Sequence, residues 1–578
     1  LASGAGNETM KLEVSATAIL APESVPTAAH SAGLLRLARV ATYAAIAIGV
    51  LLRAAHFLAN RSLSQDEAQL ATNIMDRSFP DLFHKLYFNQ AAPDGFLAVQ
   101  KLVVSSFGSG DYQFRVLSFV AAIAALVWML FLSRRVLGVL GATVAVFIFA
   151  VLDPLIYYSA NDKQYAVDVF VAVAVLWLGV RLIDRPRNSS ALVLFAAVGA
   201  VAIWFSHPSV FVLAAVSTVL VGSSLVRKEG GYGLQIAAAS LPWLASFVIF
   251  AFTVLHTAGG VQRSLNNLPG AYGGTSGLDS GGFADTGALR TILGAFRYIT
   301  GMPDVFTYGT YDAGAFIALV AAVFCAAGLV ALFRRSPEKA AMVAAPLAFM
   351  LVAWGLNQYP LVGRTQLFLI PSYVLLLAEG IVRSIGFARR LQARTAIAAA
   401  AALLVLMPAG AGFAHADPPN FDEIKPVLAY VARQQQPGDT VYVFYTAQPQ
   451  LRYYLDCHCA GERFEAARRA GLWPYRRAPG GPGQFSPRML SAPPRLIVGQ
   501  YRGEDPADNF REFDTLRGRV WVLLPEVDFS ARTKLLHALD KRGKRLETFG
   551  VGDVRDHQTA VVVYLYEMSK AKRTPPEH

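Results

Sequence analysis

Two carboxylates stand side by side at Asp66-Glu67, in the stretch LLRAAHFLANRSLSQDEAQLATNI. They follow by about nine residues a segment, 37–57, that is long and apolar enough to span a bilayer. A carboxylate so close to a membrane surface is costly unless it binds or reacts with something. The pair also opens a helical pattern, so Asp66 has a plainer reading as a charge that favours the positive end of the AQLATNIM helix. Placed after the first of many hydrophobic segments, the pair predicts a reaction centre at the water–lipid boundary.

Membrane spans must position that pair. The chain of 578 residues is 54% hydrophobic and 16% charged, where soluble domains carry about 25% charged residues. Mean hydropathy is +0.40. The net charge of +12 sits in short turns between apolar segments, which is the signature of membrane topology and excludes a nucleic-acid footprint. Three cysteines make no disulfide framework. Cys457-His458-Cys459 is too tight to chelate a metal well. The first apolar segment is too long for a cleavable signal peptide. Residues 1–9, ahead of Met10, read as an expression scar within a cytoplasmic tail, 1–35.

About eleven segments can cross ~30 Å of hydrocarbon. They are 37–57, 115–133, 136–157, 164–183, 189–206, 208–226, 233–256, 312–333, 340–357, 365–385 and 393–413. Arg134-Arg135, Arg181/Arg185/Arg187, Arg227-Lys228, Arg334/Arg335/Lys339 and Arg383/Arg389/Arg390/Arg394 fall in every second connection. The intervening short loops hold only Lys163 and Arg364. The positive-inside rule then puts the N-terminus and the Arg-rich loops in the cytoplasm. Parity decides PDGFLAVQKLVVSSFG, 93–108. If it crossed, Arg134-Arg135 would lie outside, so it reads as an interfacial helix with Asp94 and Lys101 on its wet side. The outer loops are therefore 58–114 and the Gly-rich, lid-like 257–311, within a membrane domain of 36–413.

Residues 414–578 are charged and turn-rich. TVYVFYTA (440–447), PRLIVGQY (494–501), RVWVLLPE (519–526) and TAVVVYLYEM (559–568) read as buried strands. PQLRYYLD and SARTKLLHALDKRG read as amphipathic helices. The fold class is thus a polytopic α-helical membrane protein with a C-terminal extracytoplasmic α/β domain.

The run from Arg53 to Ala71, R-x-x-x-x-L-x-x-x-S-L-x-x-DE-A-x-x-A, resembles the start of GT-C glycosyltransferases that depend on polyprenyl-phosphate sugars, the protein O-mannosyltransferase and lipid A aminoarabinose transferase group. YYSANDKQYAVDVF (157–170) resembles the second outer turn of that family, and GRTQLFLIPSYVLLLAEG (363–380) its late helix. The likeness covers roughly residues 35–415. The chain departs from it at Ala92-Pro93-Asp94, where many members carry Pro-Pro-Leu.

The resemblance implies transfer of a sugar from a polyprenyl (undecaprenyl-type) monophosphate to an acceptor hydroxyl or amine, on a lipid or glycan. The setting is the periplasmic face of a bacterial inner membrane, in cell-envelope or lipopolysaccharide modification. Asp66 corresponds to the catalytic aspartate. Glu67 would orient hydroxyls, and Asp162 would be a second acceptor carboxylate. The leaving phosphate needs cations. Arg364 leads, with Lys85, Lys163 and Arg53, the last equally suited to snorkelling. Tyr165, His84 and His207 complete the substrate contacts. An interfacial anchor cluster around Lys163 and Tyr165, surface charge at His84 and Lys85, and a capping role for His207 are the plainer readings. No D-x-D pair or ligand-spaced cluster appears, so transfer without a metal cofactor is expected, by a single inverting attack. No nucleic-acid partner is expected, and membrane lipid surrounds the spans. A diphosphate-linked glycan polymerase or ligase also keeps its site outside. A lipid or sugar transporter would instead place charges near mid-bilayer.

Overall fold

In a bilayer an apolar run satisfies its backbone internally by forming a helix, and helices dominate the computed structural model of this chain. It describes residues 28–266, 292, 294, 296–298, 311–414 other than 357 and 362, 422–456, 495–499, 512–525, 529–551 and 561–568. The helices of the membrane domain are α1 (Ala28–Leu58), α2 (Gln65–Asp76), α3 (Asp94–Phe107), α4 (Asp111–Val136), α5 (Val139–Val151), α6 (Asp153–Tyr157) and α7 (Tyr165–Asp184). They continue as α8 (Ser189–Phe205), α9 (Ser209–Val226), α10 (Gly230–Asn266), α11 (Tyr311–Arg335), α12 (Pro337–Gly355), α13 (Ile370–Phe387) and α14 (Leu391–Ala414). Among the described residues, 8 helical segments are long and apolar enough to cross a membrane. A bent pair, α5 with Asp153–Ala160, makes a ninth, and α8 and Leu391–Leu406 are shorter apolar helices. All fall on the segments expected from hydropathy.

Three features differ from expectation. The third span is broken, bent by 57° between α5 and the following turns. Pro154 stands in the first turn of α6 behind an extended Leu152, because proline lacks an N–H and clashes with a continuing helix. Secondly, α10 runs on to Asn266, into the expected lid. The rest of that loop, apart from 292, 294 and 296–298, lies outside the described residues. Thirdly, Lys101 is not on a wet face. Its Nζ donates to the carbonyls of Ile74 (2.6 Å) and Met75 (3.3 Å), capping the C-terminal end of α2. The helix that carries it, α3, has 14 residues, about 21 Å at 1.5 Å each, too short to cross.

The turns sort to two ends. At one, Arg135 and Lys339 both reach Asp184 (3.1 and 2.7 Å), Arg227 pairs with Glu338, and Arg335 pairs with Glu379 (3.4 Å). The Arg-rich connections therefore share a face. At the other end the turns after α1, before α7 and before α13 converge. Nearer the Arg-rich end α11 and α13 touch backbone to backbone. A Cβ at Gly380 would strike the Phe324 carbonyl, and one at Gly328 the Leu376 carbonyl, so only glycine permits this approach.

The C-terminal domain holds a five-stranded sheet, order β2-β1-β3-β5-β4. Its strands are β1 (Thr440–Val443), β2 (Arg495–Val498), β3 (Gly518–Leu524), β4 (Gly543–Val551) and β5 (Val561–Met568). The pairs β1–β2 and β1–β3 are parallel, while β3–β5 and β4–β5 are antiparallel. Four strands were legible as apolar runs. The exposed edge strand β4, GKRLETFGV, was not, since edges are commonly charged. Helices α15 (Ile424–Gln434), α16 (Gln448–Asp456) and α17 (Phe529–Asp540) accompany the sheet. Cys457-His458-Cys459 lies outside the described residues.

Substituting Gly380→Leu should lower the thermal midpoint in detergent, at a cost of about 1–3 kcal/mol or more for overpacking. Gly386→Leu, with open space at its Cβ position, should leave that midpoint unchanged.

Candidate active site

The chain leaves α1 and enters α2 through Ser64, whose hydroxyl accepts from the Glu67 N–H (3.3 Å) while the Ser64 N–H donates to Glu67 Oε2 (2.9 Å). This reciprocal cap satisfies two backbone donors at the helix start. It also turns Glu67 inward. Glu67 is 2% exposed, pairs with Arg115 (3.4 Å), and accepts from the Asp162 N–H (2.8 Å). Burial would raise its carboxyl, but the Arg115 and Arg61 charges outweigh burial and hold it below the usual range. The helix-start role therefore belongs to Glu67, and Asp66 is left facing the other way.

Asp66 is 30% exposed and meets two cations, Lys163 Nζ at 3.1 Å and Arg364 Nη2 at 2.7 Å. Gln90 Nε2 donates to the same carboxylate (3.0 Å), and Gln90 Oε1 accepts from Lys163 Nζ (2.6 Å). The Arg364 guanidinium lies over the Tyr165 ring, 5.4 Å from its centre. Burial acts to raise the Asp66 carboxyl, yet Lys163 and Arg364 hold it far below the usual carboxylate range. The two cations thus favour the ionised form of Asp66. Burial pulls the Lys163 ammonium down, against the pull of Asp66.

Asp162 is fully buried beside this group and accepts from Gln100 Nε2 (2.6 Å). Burial, helped by Glu67, pushes its carboxyl above the usual range. Its Oδ2 has no hydrogen-bond partner among the described residues. Tyr165 packs edge-on against Tyr158 (5.1 Å between centres), and Tyr158 accepts from the Tyr298 hydroxyl (3.0 Å). Asp66, Asp162, Lys163, Tyr165 and Arg364 therefore come together, as their positions in successive outer turns suggested.

Other candidates do not join them. Arg53 is a correction. It is 1% exposed, and its guanidinium donates to the carbonyls of Gly49 (3.0 Å), Ala150 (2.8 Å) and Phe149 (3.2 Å). It caps carbonyls that the break after α5 leaves bare, and is committed there. His84 and Lys85 are exposed on the turn after α2 and form no ion pair among the described residues. The His207 ring packs 5.0 Å from Phe250. Burial lowers its imidazole to about 4, so it stays neutral. Gln90 and Arg115 were missed. Arg115 carried a signal, a lone cation at the outer edge of a span; Gln90, a neutral loop residue, carried none. Among the described residues no three His, Cys, Asp or Glu side chains form a group that could hold a metal ion.

No protein-family model matches the chain, and no curated protein matches it. Among solved structures it is similar to the oligosaccharyltransferase of Archaeoglobus fulgidus in complex with zinc and sulfate, at 14% identity and TM-score 0.45. That match covers 71% of this chain and 61% of the other, so the chain spans less than two thirds of that enzyme. It is similar also to ArnT from Cupriavidus metallidurans bound to undecaprenyl phosphate, at 12% identity and TM-score 0.45, covering 92% of this chain and 98% of that one. The apo state of the same ArnT gives TM-score 0.46 with the same identity and coverage.

Arg115→Met removes the ion-pair partner of buried Glu67. It should cost roughly 3–5 kcal/mol, read as a fall in thermal midpoint. Arg115→Met combined with Glu67→Met should recover part of that loss.

Proposed function

We propose that the chain is a membrane glycosyltransferase of the GT-C type, moving a sugar from a polyprenyl monophosphate to an acceptor hydroxyl or amine. One observation carries the reading, the ionised Asp66 shared between Lys163 and Arg364 where three interhelical turns meet. A phosphate leaving group needs cations, and an acceptor needs a carboxylate that can take its proton. Both chemistries stand within one hydrogen-bond radius.

In this mechanism the donor phosphate draws Arg364, the more exposed cation, away from Asp66, while Lys163 bridges both. The acceptor oxygen or nitrogen attacks the anomeric carbon opposite the phosphate. The C1–O bond breaks with its electron pair leaving on the phosphate, and the acceptor proton passes to Asp66. A carboxylate clamped by two cations is a poor base. Losing one to the donor raises its proton affinity at the moment it is needed. Attack from the far face inverts the anomeric centre. Asp162, whose carboxyl burial pushes above the usual range, backs this group from its buried site as a second acid group. Glu67 acts by holding the turn and touches no substrate.

The Arg-rich end is the cytoplasmic one by the positive-inside rule. In this reading Asp66 and the C-terminal domain lie on the periplasmic side of a bacterial inner membrane, and α3, with exposed Leu102 and Phe107, lies along its surface. The modified product belongs to the cell envelope.

Labelled sugar transfer from a panel of polyprenyl-monophosphate donors in native membranes tests this reading. Wild type should transfer, and Asp66→Asn, matched for expression, should fall by about 10²–10⁴-fold. Transfer only from diphosphate-linked glycans, or equal rates in both proteins, would overturn it. A second expectation concerns pH. Removing a cation raises a carboxylate's proton affinity in the free enzyme, so Arg364→Gln should move the acid limb of the kcat/KM profile to higher pH.

A further inference from the structure

The backbone just ahead of Asp66 has an unusual set of partners. The Arg61 carbonyl accepts from Arg115 Nη1 (2.7 Å) and the Ser62 carbonyl from Arg115 Nη2 (3.0 Å). The Ser62 N–H and hydroxyl donate to the two Glu423 oxygens (2.8 and 3.0 Å). The Leu63 N–H donates to the Tyr454 hydroxyl (2.6 Å), and the Leu63 carbonyl accepts from Gln450 Nε2 (2.8 Å). The Gln65 N–H faces Asp422 Oδ2 (3.4 Å). Buried backbone groups must all be paired. In an irregular turn side chains do this, and here the membrane domain holds the inner side while the C-terminal domain holds the outer. Both strands of the junction are bent into left-handed conformations, Asn60 with φ 47° and Asp422 with φ 53°, tolerable for these residue types when the surroundings impose them.

From this we infer that the C-terminal domain is part of the active site, with Glu423 as a positioning residue. It fixes the Ser62–Gln65 turn, and through it sets Asp66 against Lys163 and Arg364. The inference rests on the reading of Asp66 as the proton acceptor. Glu423 never touches the reacting groups. It acts on a turn whose C-terminal neighbour is Asp66, and a misplacement of about 1 Å at a reacting group can cost roughly 10²-fold in rate. The domain has separate anchors. Lys425 Nζ and the Tyr453 hydroxyl reach Asp111 (2.7 and 3.0 Å), and Arg452 pairs with Asp76. Loss of Glu423 therefore strips the Ser62 N–H of its acceptor and loosens the head of the turn, while Tyr454 and Gln450 keep Leu63 and the domain stays docked.

The test uses the purified full-length chain. In Glu423→Ala, hydrogen exchange of the Ser62 amide should quicken by about tenfold or more without any substrate, with Glu423→Gln intermediate. The thermal midpoint should move little. In the transfer assay Glu423→Ala should lower kcat by about ten- to a hundredfold at unchanged donor KM, and should cost nothing further in an Asp66→Asn background. Unchanged exchange overturns the inference. So does a loss of rate that is equally large with and without Asp66, which marks Glu423 as merely structural. Exchange is read without turnover, so it decides the holding role even if the transferred group proves different.

Discussion

At the mouth of the helical bundle the Asp66 carboxylate is clamped by two cations, Lys163 and Arg364. Much of the outer face is arranged around that contact. The turn before α7 supplies Lys163, and the 3₁₀ turn Gly363–Leu369 before α13 supplies Arg364. Gln90, from the first outer loop, bridges carboxylate and ammonium. None of these groups is neighbour to another in sequence. The packing of α7 and α13 is therefore what sets the electrostatics. The glycine contact between α11 and α13 belongs to the same chain of dependence, since it fixes where the helix after Arg364 can lie.

Adjacent residues of one type take opposite parts. The Ser64 cap rotates Glu67 into the protein, where Arg115 neutralises it and the Asp162 N–H uses its remaining capacity. Asp66 then points to the cations and to solvent. The inner pair sets geometry at high cost if broken, because a buried charge without its partner is expensive. The outer group can exchange Arg364 cheaply, because that cation is 31% exposed, while buried Lys163 stays in place. A rigid inner shell and an exchangeable outer one suit a site whose ligand carries its own negative charge.

Much of this was legible in the sequence, and for physical reasons. Spans are apolar runs of fixed length, so hydropathy finds them. Asp66, Lys163 and Arg364 stand out as isolated charges in outer turns. The division of labour at Asp66-Glu67 was misread, with the helix-start role weighed only for Asp66 and hydroxyl orientation given to Glu67, although the Ser64-x-x-Glu67 spacing of a capping box carried the signal. Arg53 was misjudged because its partners appear only once α5 ends at Val151 and bares its carbonyls. Lys101 was misplaced because the end of α2 that it caps is not visible in its own segment. Gln90 carries no charge to betray it. Glu423 lies 361 residues from Ser62, a separation that no local pattern bridges.

Binding of a polyprenyl monophosphate to the purified protein, measured by native mass spectrometry, tests the shared-cation account most directly. Wild type should bind saturably. Arg364→Gln and Lys163→Gln should each weaken binding by about tenfold or more, the worth of a charge-assisted contact. Asp66→Asn, which removes the competitor for both cations, should bind the lipid more tightly than wild type. Equal affinity in all four proteins, or weaker binding by Asp66→Asn, would contradict the account.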